Sequence, residues 1–133
     1  MTAIHATISG NPKGIPLVLL HGFMGHSKEW QPLMSHLPDS YRYSCITLPG
    51  HENTPLPPNN SSFTHYLSAL KDWLIMKDMS PCHVLGYSMG GRLAIGLLSI
   101  APDVVKSLSL ISASPGVKPT ESTDDYLNRD HAI

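Results

Sequence analysis

The chain has 133 residues, with 9 lysines and arginines against 10 aspartates and glutamates and no run of like charges. This length is enough for one domain with a hydrophobic core. The nearly neutral charge balance excludes the basic stripe of a nucleic-acid-binding protein and the acidic tail of many interaction segments. We therefore expect a small-molecule partner and no nucleic acid.

Two further features bear on location and cofactors. No apolar stretch approaches the roughly 18 residues of a membrane span, and Met1–His5 lacks the basic flank of a signal peptide. We expect no membrane span and a cytoplasmic protein, or an organellar one if a transit peptide has been lost. Cys45 and Cys82 lie in apolar, strand-like stretches without Cys-x-x-Cys spacing, which predicts reduced core thiols and neither a metal site nor a disulfide framework. We also expect no cofactor.

Strands and helices are predicted to alternate along the chain. Strand patterns fall at 2–9, 17–20, 43–48, 83–85 and 104–111, and apolar residues at helical spacing fall at 30–37, 63–74 and 93–101. The continuous apolar run Leu17–Leu20 is typical of a strand buried on both faces. Because parallel neighbours need crossover helices, this order predicts an α/β fold with a doubly wound, mostly parallel sheet.

The segments outside this alternation predict loops and an open edge. Asn53–Asn60 contains three prolines and predicts an irregular surface excursion, after which Ser61 or Ser62 caps the next helix. No amphipathic helix follows strand 104–111, so we expect an exposed edge strand and a chain truncated after it. Residues 1–116 are predicted to form the N-terminal portion of the core, and residues 117–133 a polar tail or the start of a lid segment.

The segment Gly86–Gly90 reads Gly-Tyr-Ser-Met-Gly and lies directly between a predicted strand and a predicted helix. A strained turn at this position lifts a serine hydroxyl clear of the sheet. Glycines at both ends allow the backbones to approach closely. The pattern therefore predicts Ser88 as a reactive serine.

A second motif, His21–Gly25, follows the first buried strand and reads His-Gly-Phe-Met-Gly. Attack on a carbonyl, or loss of a proton beside one, builds negative charge on oxygen that two fixed backbone N–H groups can stabilise. In this architecture the donors are the residue after the nucleophile, Met89, and a residue of this loop, Phe23. His21 is predicted to shape the loop rather than act as general base, and it is also a candidate for substrate contact.

Four segments together resemble the 2-succinyl-6-hydroxy-2,4-cyclohexadiene-1-carboxylate synthases of menaquinone and phylloquinone biosynthesis, which are members of the α/β-hydrolase superfamily. They are 20–25, 48–51, 86–94 and 112–116. Arg92, four residues after the serine, and the Ser-Pro-Gly turn at 114–116 are the more particular features. The resemblance extends from about Leu17 to Gly116 and implies the α/β-hydrolase fold.

The resemblance also implies a reaction, the elimination of pyruvate from an enolpyruvyl cyclohexene carboxylate by a lyase. Ser88, activated by a His-Asp pair, would be the base, and the Phe23 and Met89 amides would hold the oxyanion. Arg92 would bind a carboxylate of the anionic substrate. Tyr87 would contact the substrate through its phenol or serve in packing.

The acid and the histidine of the expected triad have no credible candidates. In this fold they follow the serine in chain order, on loops after later strands. Asp103 lies at the far end of a helix from Ser88, and His131 has no strand before it. We therefore expect the partners beyond the chain end and little activity from this chain. A serine ester, thioester or C–C bond hydrolase and a non-catalytic, truncated binding module remain open alternatives.

Overall fold

The computed structural model of the chain describes residues 4–22, 25, 27–49 and 63–112. The elements in order are β1 (His5–Gly10), β2 (Ile15–Leu20), a 3-10 turn (Ser27–Trp30), α1 (Gln31–Met34), β3 (Tyr41–Thr47), α2 (Phe63–Met76), β4 (Cys82–Tyr87), α3 (Met89–Ile100) and β5 (Val105–Ile111). Within these ranges, no helix has both the length and the apolar character needed to cross a membrane.

The five strands form one sheet in the order β1-β3-β2-β4-β5. β1 runs antiparallel to β3, and the other neighbouring pairs are parallel. β5 lies at an edge of this described sheet, and most of its residues are exposed. The predicted α/β class with a mostly parallel sheet is confirmed, and the strand predicted at 104–111 is observed at Val105–Ile111.

The central strand β2 marks the point where the chain changes direction across the sheet. From β2 it continues to β3 on one side and later returns to β4 on the other. Leu20 at the end of β2 lies in register with Gly86 near the end of β4, so the segments after both strands leave the sheet side by side. Crevices at such switch points are where open α/β sheets bind ligands.

Helices cover the two faces of the sheet unequally. Val18 and Leu20 join the larger buried cluster with α2 and α3, whereas Leu19 joins a smaller cluster with the 3-10 turn and α1. This division follows from the alternation of side chains along a strand. All three residues are fully buried, which confirms β2 as a strand covered on both faces.

The helix predicted at 30–37 is shorter than expected. Only Gln31–Met34 is α-helical, because the following amides bond three residues back, His36 to Leu33 and Leu37 to Met34. The Ser35 hydroxyl also donates to the carbonyl of Pro32 at 2.7 Å, a local bond that competes with helical geometry. The apolar stripe nevertheless packs as predicted, since its side chains contact the smaller cluster.

Both cysteines are free and buried, as predicted. The Cys82 thiol donates to the carbonyl of Val104 at 3.5 Å. Burial raises the pKa of Cys45 to about 11 and the pKa of Cys82 to about 12. These thiols are therefore protonated at neutral pH and belong to the core.

Several predicted features lie outside the described residues. They are the proline-rich segment 53–60, the cap at Ser61 or Ser62, and the region from 113 onwards, with the boundary at 116 and the tail 117–133.

Candidate active site

Ser88 occupies the single position between β4 and α3. Its φ and ψ angles are 53° and −114°, a conformation that side-chain-bearing residues rarely adopt. Its amide donates to the carbonyl of Ile111 at 2.9 Å, and its carbonyl accepts from the amide of Gly91 at 2.9 Å. The predicted strained turn between strand and helix is confirmed.

Two glycines make this turn possible. A Cβ atom built on Gly86 would lie 2.6 Å from the Cα atom of Gly91. A Cβ atom on Gly90 would overlap the carbonyl oxygen of Leu20 and lie 2.5 Å from that of His21. The start of α3 therefore rests directly on the backbone at the end of β2, which fixes Ser88 beside the following loop.

The Ser88 hydroxyl and the Met89 amide lie at the start of α3. Ser88 is half-buried, and its side chain makes no hydrogen bond that caps α3. Met89 is the first residue of α3, so its amide has no acceptor within the helix. The positive end of the helix dipole adds to the field at this point. This end of α3 can stabilise an anionic oxygen close to the serine.

The loop after β2 begins against the serine. A Cβ atom built on Gly22 would lie 3.3 Å from Ser88 Cβ and 2.9 Å from Cδ1 of Tyr87. The amide of Gly25 donates to the Gly22 carbonyl at 3.0 Å and closes a tight turn. Phe23 lies within this turn but outside the described residues, so its role as oxyanion donor remains a prediction.

The His21 ring is fully buried behind this turn. Its Nε2 atom accepts a hydrogen bond from the amide of Leu48 at 3.0 Å, and its Nδ1 atom lies 2.8 Å from the carbonyl oxygen of Gly22. Because an amide only donates and a carbonyl only accepts, the ring carries its proton on Nδ1 and is neutral. These contacts favour the predicted loop-shaping role; its contact with substrate remains a prediction, and full burial does not favour it.

Tyr87 and Arg92 are the exposed residues that flank Ser88 most closely in the chain. Tyr87 is 42% exposed and its ring packs against Gly22. Arg92 is exposed on the first turn of α3, one helical turn from Ser88. Both residues are thus close to the serine in the chain and accessible, and their substrate contacts remain predictions.

Glu29 is a neighbour of this loop that the sequence analysis missed. Its two carboxylate oxygens would lie 2.7 and 2.8 Å from a Cβ atom built on Gly25. The four-residue spacing between Gly25 and Glu29 is the one signal of this contact in the sequence. The Glu29 carboxylate thus places an acidic group beside Gly25, at the end of the Gly22–Gly25 turn.

Other features lie away from the serine. Asp103 is in the turn that precedes β5, at the opposite end of the parallel strands from Ser88, and His131 lies outside the described residues. A cavity of about 430 Å³ is also at that end of the strands, near β1 and β3, lined by the turn after β1, by residues 34 to 39 and by the start of β3. Neither Asp103 nor this cavity belongs to the candidate active site.

The fold of the chain has counterparts in known proteins. A family model for the alpha/beta hydrolase fold matches residues 15–132. The chain belongs to the α/β-hydrolase family. This α/β-hydrolase chain is 34% identical over 119 residues to a candidate 2-succinyl-6-hydroxy-2,4-cyclohexadiene-1-carboxylate synthase of Bacillus subtilis (strain 168), covering 88% of the chain and 43% of the relative.

Hydrolases are similar to the same region. The α/β-hydrolase chain is 32% identical over 103 residues to a pimeloyl-[acyl-carrier protein] methyl ester esterase of Aeromonas salmonicida (strain A449), covering 77% of the chain and 39% of the relative. The structure of a marine microorganism esterase superposes with a TM-score of 0.80 at 24% identity, covering 97% of the chain and 49% of the esterase. The chain thus spans less than half the length of each of these proteins.

Proposed function

We propose that this chain is the serine-bearing part of a lyase that eliminates pyruvate from an enolpyruvyl cyclohexene carboxylate, giving 2-succinyl-6-hydroxy-2,4-cyclohexadiene-1-carboxylate. The observation that carries the proposal is the strained turn at Ser88, which presents a hydroxyl not used for helix capping beside the Gly22–Gly25 turn. The similarity to the Bacillus subtilis relative supports this reaction among those that the family performs.

The elimination needs a base and a site for negative charge. The base removes a proton from a substrate carbon, and the electron pair is delocalised onto oxygen. The pair then forms a new ring C=C bond as the ring C–O bond to the enolpyruvyl group breaks, and the departing enolpyruvate takes up a proton on carbon to become pyruvate. Ser88 acts as this base after its hydroxyl proton has passed to a histidine that is paired with a carboxylate. The amides of Met89 and Phe23 hold the oxyanion, at the positive end of α3.

The substrate is anionic, and its recognition needs cations and polar groups. Arg92 presents a planar guanidinium that can bind a carboxylate through two hydrogen bonds. Its exposure one helical turn from Ser88 is compatible with that contact. Tyr87, exposed and packed on Gly22, offers a phenolic hydrogen bond at the same rim.

Ester hydrolysis is the second candidate. The same hydroxyl can attack an acyl carbonyl, and the same amides would stabilise the tetrahedral oxyanion. The similarity to the pimeloyl methyl ester esterase supports this reading. The two candidates differ in what Ser88 does, since it removes a proton in the first and forms a covalent acyl intermediate in the second.

The test is a pair of assays on the protein that carries this chain, with Ser88→Ala as the control in both. Pyruvate release from the cyclohexene substrate that disappears in Ser88→Ala supports the lyase. Turnover of methyl or thioester substrates without pyruvate release, accompanied by an acyl adduct on Ser88 in mass spectrometry, supports the hydrolase. Specific substrate binding without turnover in either assay would contradict both and favour a non-catalytic module.

A further inference from the structure

We infer that His21 is a positioning residue whose neutral ring, protonated on Nδ1, ties the Gly22–Gly25 turn to the end of β3 and so holds that turn beside Ser88. Its effect on catalysis rests on the proposed function, whereas the hydrogen-bonded link itself does not.

The two backbone groups that His21 binds are ones that the sheet leaves without strand partners. β2 ends at Leu20 and β3 ends at Thr47, so the Gly22 carbonyl and the Leu48 amide both lie just past the parallel ladder. An unpaired backbone group that is buried costs about 1–3 kcal/mol. The neutral His21 ring serves both groups, as the acceptor for the Leu48 amide and as a second donor, beside the Gly25 amide, to the Gly22 carbonyl.

The backbone of His21 is fixed by its close contact with the start of α3. Gly90 packs on its carbonyl oxygen so closely that a Cβ atom there would lie 2.5 Å away. The backbone of His21 is therefore held by α3, and its ring by the hydrogen bond from the Leu48 amide. The remaining ring nitrogen then fixes the Gly22 carbonyl, which also accepts the Gly25 amide.

This arrangement connects three elements at one point. The loop after β3, the turn after β2 and the start of α3 meet at His21, and Ser88 and the predicted oxyanion donors lie on the last two. A displacement of the turn by about 1 Å would cost on the order of a hundredfold in rate. His21 acts through this geometry and does not need to touch the substrate.

Two substitutions at position 21 each remove one of the two hydrogen bonds of the ring. The Asn side-chain amide reaches about as far as Nδ1, so His21→Asn can keep the donor to Gly22 and lose the acceptor for Leu48. The longer Gln places its carbonyl oxygen near Nε2, so His21→Gln keeps the acceptor and loses the donor. Because the link needs both hydrogen bonds, each substitution lowers kcat about tenfold to a hundredfold with little change in KM, and His21→Gln, which releases the Gly22 carbonyl itself, lowers it more than His21→Asn.

A core variant away from the site controls for lost stability. Leu70→Ala, in the fully buried part of α2, destabilises the fold without touching the turn. Equal kcat losses in His21→Asn, His21→Gln and Leu70→Ala at matched stability would overturn the positioning role, and so would unchanged kcat in both His21 variants.

NMR tests the hydrogen-bonded link through His21 independently of turnover. In the ¹⁵N-labelled protein we expect the His21 ring signals of a single neutral Nδ1–H tautomer and a coupling across the hydrogen bond from the Leu48 amide to Nε2. We also expect faster amide exchange at Gly25 in His21→Gln than in His21→Asn. A ring protonated on Nε2, or equal Gly25 exchange in both variants, would overturn the inference. If the unsubstituted protein releases no pyruvate but shows the coupling and the exchange difference, the proposed function fails and the link stands.

Discussion

Gly90 lies so close to the carbonyl oxygen of Leu20 that a methyl group at position 90 would overlap it. This contact sets the distance between the helix that follows the serine and the strand that precedes the Gly22–Gly25 turn. The placement of the candidate active site therefore depends on an interaction between two backbones, with no side chain between them.

Gly90→Ala should lower the free energy of unfolding by about 1–3 kcal/mol, because the added methyl group meets backbone atoms that cannot move independently. Gly96→Ala is the matched control in the same helix. Its methyl group would meet the ends of the Leu67 and Phe63 side chains, which can rotate away, and alanine gains helix propensity of up to about 1 kcal/mol. Urea unfolding of the two variants checks the difference, and similar losses in both would show that the backbone contact does not control stability.

Replacing Ser88 tests the strain of its turn. Because glycine adopts positive φ freely, Ser88→Gly should be more stable than Ser88→Ala by about 1 kcal/mol, while both variants lose turnover. Thermal unfolding and the pyruvate and ester assays measure the two effects. Equal stability of the variants would mean that the turn stores little strain.

Arg92→Ala should reduce kcat/KM on the anionic cyclohexene substrate by a factor equivalent to about 1.5–3 kcal/mol, as expected for a lost charge-assisted contact. Arg92→Lys keeps the charge but not the planar fork, so it should recover only part of the loss. Steady-state kinetics on the anionic substrate and on a neutral ester provide the comparison. A loss of the same size on the neutral ester would contradict carboxylate binding.

Alkaline pH should weaken the fold through the buried thiols. Their pKa values are raised from the usual 9.0 to about 11 for Cys45 and about 12 for Cys82 by burial, so the folded state retains protons that the unfolded state releases. This stabilisation is complete below pH 9 and is lost as the pH rises through 11 to 12. Burial also raises the pKa of Tyr66, which acts in the same direction.

The double variant Cys45→Ala/Cys82→Ala isolates the contribution of the thiols. Its free energy of unfolding should fall less steeply between pH 9 and 11 than that of the unsubstituted protein, although the cavities lower its stability at pH 7. Denaturant unfolding at several pH values measures the slope. Identical slopes would assign the alkaline loss to Tyr66 and other groups.

The order of strands and helices and the serine turn could be predicted because their signals are local. The run Leu17–Leu20 is apolar without interruption, and Ser88 has glycines two residues away on both sides at a junction between a strand and a helix. Such patterns reflect burial and backbone sterics within a few residues of the chain. The short length of α1 was not predicted. Its apolar stripe is correct, but the hydrogen bond from Ser35 to the Pro32 carbonyl competes with helical geometry at the end of the helix.

The contacts that hold the candidate active site in place could not be predicted from the sequence, because they join segments that are distant in the chain. His21 and Leu48 are 27 positions apart, and their hydrogen bond exists only because β2 and β3 end in register. A histidine before a glycine indicates a loop, but its tautomer depends on which groups meet its ring in three dimensions. The proximity of Glu29 to Gly25 likewise depends on how tightly the 3-10 turn follows the loop.

The hydrogen bond from the Ser88 amide to the Ile111 carbonyl extends the ladder between β4 and β5 by one step, into the reactive turn itself. β5 is an edge of the described sheet, and edge strands open locally at lower free energy than central ones. When the end of β5 frays, the Ser88 amide loses this hydrogen bond. The lifetime of the strained turn at Ser88 therefore depends on the lifetime of that strand end. A strand that pairs with the side of β5 that no described strand covers would lengthen both, and sheet completion at this edge would then act on Ser88 from one strand away.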